Sequence, residues 1–500
     1  MPDAIVIGSG PNGLVAAATL ARHGWSVQVL EAKSRPGGAL YSEELTIPGY
    51  LHDVGAAFFP FALASPALRS LELERAGLEW RNIRRESCHP APDGTSVSIA
   101  RDIDLTARSF GTDGPAWIRL ARWREAMGDR LTPALLGTLP GIASAWRLRP
   151  ANLVKFGWAS VKSAANLSRN RFQTAAAQRV IPGLSLHVDL GPEDFAGAGL
   201  GLVLALLASG GGFPVPVGGA RAITHAILKR LEEAGGIISL SHRVERIVVR
   251  EKRAAAVVTE SREEIAASKA ILADVGAPAL FLKLIQPEDV PRRIVDSMRR
   301  FRYGWGTFKV DWALDGPVPW LSEEARESAV VHAGDSIEDL IAFTNQVRRG
   351  ELPQNPYLVI GQQSLGDPSR APAGGQTLWA YSHVPSSVEG DWSSCREPFA
   401  DRIEERIEKL APGFRQSIRA RAIYSPVDLE KMDENLVGGD LGGGSAHFDH
   451  QLFFRPACPY FRYRMPLRGL YLCSSSAHPG AGVHGACGFN AALAAIKDHG

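Results

Sequence analysis

Ala4-Ile5-Val6-Ile7-Gly8-Ser9-Gly10-Pro11-Asn12-Gly13 opens the chain, and Val27-Gln28-Val29-Leu30-Glu31 follows after a helical stretch. Four apolar residues at 4–7 suit a short, buried parallel strand. Gly8 allows a tight turn. Gly10 lets backbone approach a pyrophosphate, and Gly13 lets the next helix pack closely on the strand. That helix, from about Asn12 to Arg22, aims free N–H groups and partial positive charge at the phosphates, with Pro11 and Asn12 in its first turn. Seventeen residues separate Gly13 from Glu31, which sets a carboxylate at the end of the second strand, where it can accept from ribose hydroxyls. The strand–turn–helix–strand–acid context predicts a dinucleotide-binding, Rossmann-type α/β domain.

The next residues bear on which dinucleotide is bound. Glu31-Ala32-Lys33-Ser34-Arg35-Pro36-Gly37-Gly38 carries two basic residues and a glycine pair just past the ribose acid. Lys33 and Arg35 can neutralise phosphate charge, and Gly37-Gly38 lets a second backbone segment approach the cofactor. This stretch resembles the flavoprotein superfamily of amine oxidases and carotenoid desaturases, in which such a segment lies along FAD. The resemblance implies FAD, with Ala32 among its contacts.

Five hundred residues favour two domains, or two interleaved ones, over a single domain. Net charge is +2, so the chain carries no general basic signal for nucleic acid. The first strand starts at residue 4, which leaves no room for a secretory leader. The longest apolar run, Phe195 to Ser209, is fifteen residues with three glycines. It falls short of the roughly 20 needed to span a bilayer and reads as a buried or interfacial helix. Five cysteines stand at 88, 395, 458, 473 and 487. None forms the closely spaced pair that a disulfide reductase needs beside its flavin, and no zinc or iron–sulfur spacing appears. The odd count suits a reducing compartment. The expected location is cytoplasmic, with membrane association through one segment: from Leu131 to Val188 there is no acidic residue, but Arg147, Arg149, Lys155, Lys162, Arg169, Arg171 and Arg179 are interleaved with Trp146, Phe156 and Trp158. Such helices lie at a membrane surface or form a solvated basic face around a substrate domain.

Along the chain, cofactor-binding character returns at Phe213–Gly219. A helix follows with Ile223, Ile227 and Leu231 on one face and Gly235-Gly236 as its left-handed cap. Strands are expected at Ile237–Leu240, Val244–Val249, Ala254–Thr259 and Ala270–Leu272. Further strands are expected at Phe308–Leu314, Tyr357–Gly361 and Thr377–Val384. Pro398–Leu410 reads as an exposed helix, and the last helix shows Ala486, Phe489, Leu493 and Ile496 on one face. The FAD-binding domain is assigned to 1–65, 213–285 and 436–500, of glutathione-reductase or amine-oxidase type. It interleaves with an α+β substrate domain at 66–212 and 286–435.

Three separated blocks carry a closer resemblance: the N-terminal unit, Pro216 through Arg250, and Gly469 through Asn490. Together they are similar to the phytoene dehydrogenase and carotenoid desaturase-like family. Gly438-Gly439-Asp440, Phe453-Phe454-Arg455-Pro456 and Ala477-His478-Pro479-Gly480 are similar to its branch containing carotenoid ketolase-like proteins and pyridine nucleotide-disulfide oxidoreductase domain-containing protein 2. The resemblance implies that the backbone of Val244 holds the adenine. It also implies an apolar isoprenoid or carotenoid-like substrate. The Gly-rich loop 480–485 at the last helix suits the pyrimidine end of the flavin, where helix dipole and N–H donors stabilise negative charge. Ser475, Gly482, Val483 and His484 are placed there.

Flavin chemistry needs positioning more than acid–base groups. His484 and His478 are the candidate catalytic side chains. Phe58 and Phe59, ending the loop His52–Pro60, are candidate substrate contacts. His447 and His450 flank Asp449 without a third histidine, so no metal is assigned. No separate nicotinamide-binding turn appears, and electrons are expected to leave to oxygen, a quinone or another acceptor. A flavin amine oxidase and a flavin-bound interaction protein with little turnover remain the alternatives.

Overall fold

A computed structural model of the 500-residue chain describes residues 1–141, 146 and 148–499. Arg147, one of the basic residues named above, lies outside the described residues.

The opening strand Ala4–Ile7 is wholly buried and central in a five-stranded parallel sheet. Its neighbours are Val27–Leu30 on one side and Ala270–Ala273 on the other, with Ile237–Ser239 and Leu470–Leu472 at the edges. The register sets Val6 beside Val29 and Leu272, so apolar side chains stack through the layer. The strands come from three distant parts of the sequence. The chain therefore leaves this domain twice and returns to it.

Two helices cover one face. Pro11–Arg22 and the closing helix Ala486–His499 lie against each other so tightly that a Cβ at Gly488 would fall 1.9 Å from the carbonyl of Asn12. The closing helix buries its small residues Ala486, Cys487, Gly488, Ala491 and Ala495. Of the residues read onto one face, Ala486 is buried, Phe489 and Ile496 pack partly buried against the core, and Leu493 is 37% exposed. Close backbone approach needs small residues at the seam, and a period-four apolar reading picks the large ones instead. Arg221–Glu233 buries Ile223, Ile227 and Leu231, and Gly235 follows with φ +81°.

The second layer is a seven-stranded, mostly antiparallel sheet. Its order is Ile418–Tyr424, Gly306–Leu314, Gln376–Val384, Leu358–Gly361, Ser328–Ala333, Arg85–Pro90 and Ser96–Ile99. Trp392–Leu410 covers one face. It begins before the expected Pro398, which lies inside it, and it buries Phe399, Ile403 and Ile407 rather than being exposed. Its charged residues lie on the other side of an amphipathic helix. The opposite face of the sheet meets the helices Val180–Ser185 and Ala198–Ala208; the latter is buried, as its apolar run implies. Among the described residues, no helix is long and apolar enough to cross a membrane.

Candidate cofactor and substrate site

A cavity of about 370 Å³ runs from the opening turn to the second sheet. Gly10, Pro11 and Asn12 line one end, Ala481, Gly482 and Val483 line a wall, and Trp379, Tyr381 and His383 line the far side.

At the opening turn, sequence and geometry agree. Gly8 has φ +92°, which only glycine adopts freely. A Cβ at Gly38 would lie 3.4 Å from the Cα of Gly10. Two backbone segments thus pass close together there, and Gly37 donates its N–H to the Ser9 carbonyl at 3.0 Å. The buried Oδ1 of Asn12 has no partner in the protein. This cradle of bare backbone at a helix N-terminus fits the pyrophosphate of a dinucleotide.

Glu31 is buried at the end of its strand. It accepts from the Ser9 amide at 2.8 Å, the Ser9 hydroxyl at 2.6 Å and the Lys33 amide at 2.8 Å. Its own carbonyl accepts from His242, and that of Lys33 accepts from Ser241. Val244 begins two residues later in a small three-stranded sheet. Glu31, Ala32, Lys33 and Val244 are therefore brought to one edge of the parallel sheet. Arg35 lies over the Tyr41 ring, 4.0 Å from its centroid.

Asp274, at the end of strand Ala270–Ala273, accepts from the Gly13 amide at 2.8 Å. Burial raises its carboxyl to about 8, against the Gly13 hydrogen bond, and the nearby Asp433 and Glu31 carboxylates raise it further. The sequence signals this acid only as Ala273-Asp274-Val275-Gly276, a segment far from the turn it touches.

At the other end, Ser475 and Gly482-Val483 line the cavity, whereas the imidazoles of His484 and His478 do not. His484 Nδ1 accepts from the Ala486 amide at 3.0 Å and so caps the closing helix, while Nε2 is buried and unpartnered. His478 Nε2 lies 3.1 Å from the Gly137 carbonyl. Burial holds both imidazoles down to about 4, so each is neutral near pH 7. Both are fastened to backbone behind the loop. Phe58 faces the cavity and tilts against Trp379 at 6.2 Å. Phe59 also borders it, but is 1% exposed and packs on Trp80.

Several lining groups escape sequence reading. Arg455, 2% exposed, donates to the carbonyls of Gly442, Ser445 and Ser475 and ties two Gly-rich loops together. Lys309 donates to the Asp53 carbonyl at 3.0 Å and pairs with Asp311. Residues 379, 381 and 383 share one face of a strand, and that period-two alternation of Trp, Tyr and His is the signal that could have found them.

The family model described as flavin containing amine oxidoreductase matches residues 12–488. Pyridine nucleotide-disulfide oxidoreductase domain-containing protein 2 of Mus musculus is 27% identical over 99% of this chain and 93% of that protein. A phytoene desaturase (neurosporene-forming) of Rhodobacter capsulatus is 25% identical over 97% of this chain and 91% of that protein. Among solved structures, an oxidoreductase from Methanosarcina mazei superposes with a TM-score of 0.65 at 15% identity, covering 99% of each chain. The chain belongs to the flavin containing amine oxidoreductase family, and its cofactor is FAD.

Proposed function

We propose that this flavin oxidoreductase acts on an apolar isoprenoid or polyene-like molecule, held in the cavity between the two sheets. FAD supplies a two-electron acceptor there. The opening turn, Glu31 and the 37–38 pair hold its adenosine half, and the loop 481–483 shapes the wall at its ring end. The observation that carries the substrate class is the apolar lining of the cavity, where Phe58, Leu200, Leu204, Phe213, Val330 and Val359 face the space between the two sheets. The relatives named for phytoene desaturation support the same reading.

The test is anaerobic reduction of the flavin-loaded protein, followed as loss of the yellow flavin absorbance. A panel of lipophilic isoprenoids should bleach it. Bleaching by amines, with peroxide released in air and no response to isoprenoids, would overturn the proposal.

We also propose that segment 131–188 rests on an anionic membrane surface. Trp146, Val154 and Trp158 are 70–71% exposed, and Leu153 and Val161 are exposed beside them. The helix Pro150–Ser160 is thus apolar on both faces, with Arg149 and Lys155 exposed alongside. Soluble surfaces rarely carry such a patch without a partner. Exposed Phe195 meets exposed Phe448 edge-to-face at 5.6 Å. Their near neighbours Leu200 and Ala446 line the cavity, so the patch adjoins the cavity wall.

A further inference from the structure

The strand Gln376–Val384 directs Trp379, Tyr381 and His383 onto the cavity, and strand Gly306–Leu314 sets Thr307 opposite His383 in register. Three of these four side chains carry polar atoms that make no hydrogen bond of normal geometry within the protein: Trp379 Nε1, Thr307 Oγ1 and both ring nitrogens of His383 are buried without one. Their residues are 6%, 1% and 4% exposed. Buried polar groups in folded proteins are nearly always satisfied, so several unsatisfied ones on a single cavity wall point to a ligand that satisfies them.

The rings are held in place. Trp379 stacks on Tyr381 at 5.8 Å, and Tyr381 and Trp305 meet the His383 ring edge-on at 5.8 and 5.7 Å. Beside them, cavity-lining His187 has its Nε2 2.9 Å from His332 Nε2, and His332 stacks on His89 at 4.5 Å. Burial lowers the His383 imidazole, holds that of His187 down to about 3, and raises the Tyr381 phenol. The wall therefore presents uncharged donors and acceptors. Nearby, Asp189 accepts from Ser445 and Ala446, and Lys309 donates to the Asp53 carbonyl and pairs with Asp311.

We propose that this wall binds a neutral oxygen function, a hydroxyl or a carbonyl, carried by an otherwise apolar substrate. A pure hydrocarbon would leave these donors and acceptors unsatisfied. His383, whose ring nitrogens make no hydrogen bond of normal geometry within the protein, is the central specificity-determining residue. This deepens the proposed function and rests on it.

The experiment compares two isoprenoids of similar shape, farnesol and β-farnesene, titrated into the flavin-loaded protein. Binding is read from quenching of tryptophan fluorescence and from the shift in flavin absorbance. Farnesol should bind at least ten-fold more tightly. His383→Leu should reduce that advantage to less than two-fold, and His383→Gln should retain most of it. If His383→Leu loses its flavin, Trp379→Phe, which removes an N–H and leaves an aromatic ring, is read in its place and should reduce the advantage at least three-fold. Equal affinity of the wild-type protein for both ligands overturns this inference and leaves the apolar-substrate proposal standing. An unchanged advantage in the variant that is read also overturns it. Failure of both ligands to bind overturns the proposed function and this inference with it.

Discussion

The carboxylate of Asp274 accepts a hydrogen bond from the backbone amide of Gly13 at 2.8 Å, joining the end of one parallel strand to the turn that follows another. A Cβ at Gly10 would stand 2.6 Å from the same carboxylate. Burial raises this carboxyl from 3.8 to about 8. Between about pH 4 and 8 the unfolded chain releases a proton that the folded chain keeps, so this group's contribution to stability falls as pH rises through that window. In flavin-stripped protein, Asp274→Asn should match the wild-type unfolding midpoint near pH 4 and exceed it increasingly toward pH 8. A parallel pH dependence of the two proteins would refute the assignment. Thermal unfolding across this pH range is the measurement.

Flavin retention tests the adenosine end. Gly10→Val forces side-chain atoms into Asp274 and across the cavity's first lining residues. Glu31→Ala removes the acceptor shared by Ser9 and Lys33. Both variants should purify with less than a tenth of the wild-type ratio of flavin to protein absorbance. Full flavin content in both would displace the adenosine half from this edge of the sheet.

Helix packing at Gly488 makes a stability prediction independent of cofactor. Gly488→Ala places a methyl group 1.9 Å from the Asn12 carbonyl, so the two helices must separate. Overpacking of this kind costs about 1–3 kcal/mol. Denaturant unfolding of the flavin-stripped variant should show the loss, and Leu493→Ala, at a half-exposed position on the same helix, should cost less.

Membrane contact predicts co-sedimentation with vesicles containing phosphatidylglycerol. Trp158→Ser combined with Val154→Ser should weaken it several-fold, because both side chains are 71% exposed and contribute apolar area. Raised salt should weaken it too, through screening of Arg149 and Lys155. Binding that the double variant leaves unchanged would argue against contact through this helix.

The opening turn was legible in the sequence because every step there is local. Gly8, Gly10 and Gly13 act within one strand–helix connection, and Glu31 ends the very next strand. The strands at 237, 244, 254 and 270 were legible for the same reason: short β-branched runs between turn residues carry their own signal. The closing helix was placed by its periodicity, but its tightest contact, at Gly488, was not. Its partner is the opening helix, almost 500 residues away, and the requirement for small residues at Gly488 exists only in that partner's presence.

Local sequence defined a dinucleotide turn, a ribose-side acid and a Gly-rich C-terminal loop, since backbone conformation and helix dipoles follow from neighbouring residues, and the resemblance of these blocks to a flavoprotein family implied the flavin. Tertiary structure alone decided what faces the cavity. It turned His484 and His478 into backbone-anchored groups behind a loop. It also set Asp274 against Gly13, Arg455 between two loops, and Trp379, Tyr381 and His383 along one wall. Those positions depend on strand register and on segments that meet only after folding; the alternation at 379–383 marks one face of a strand but not what that face meets.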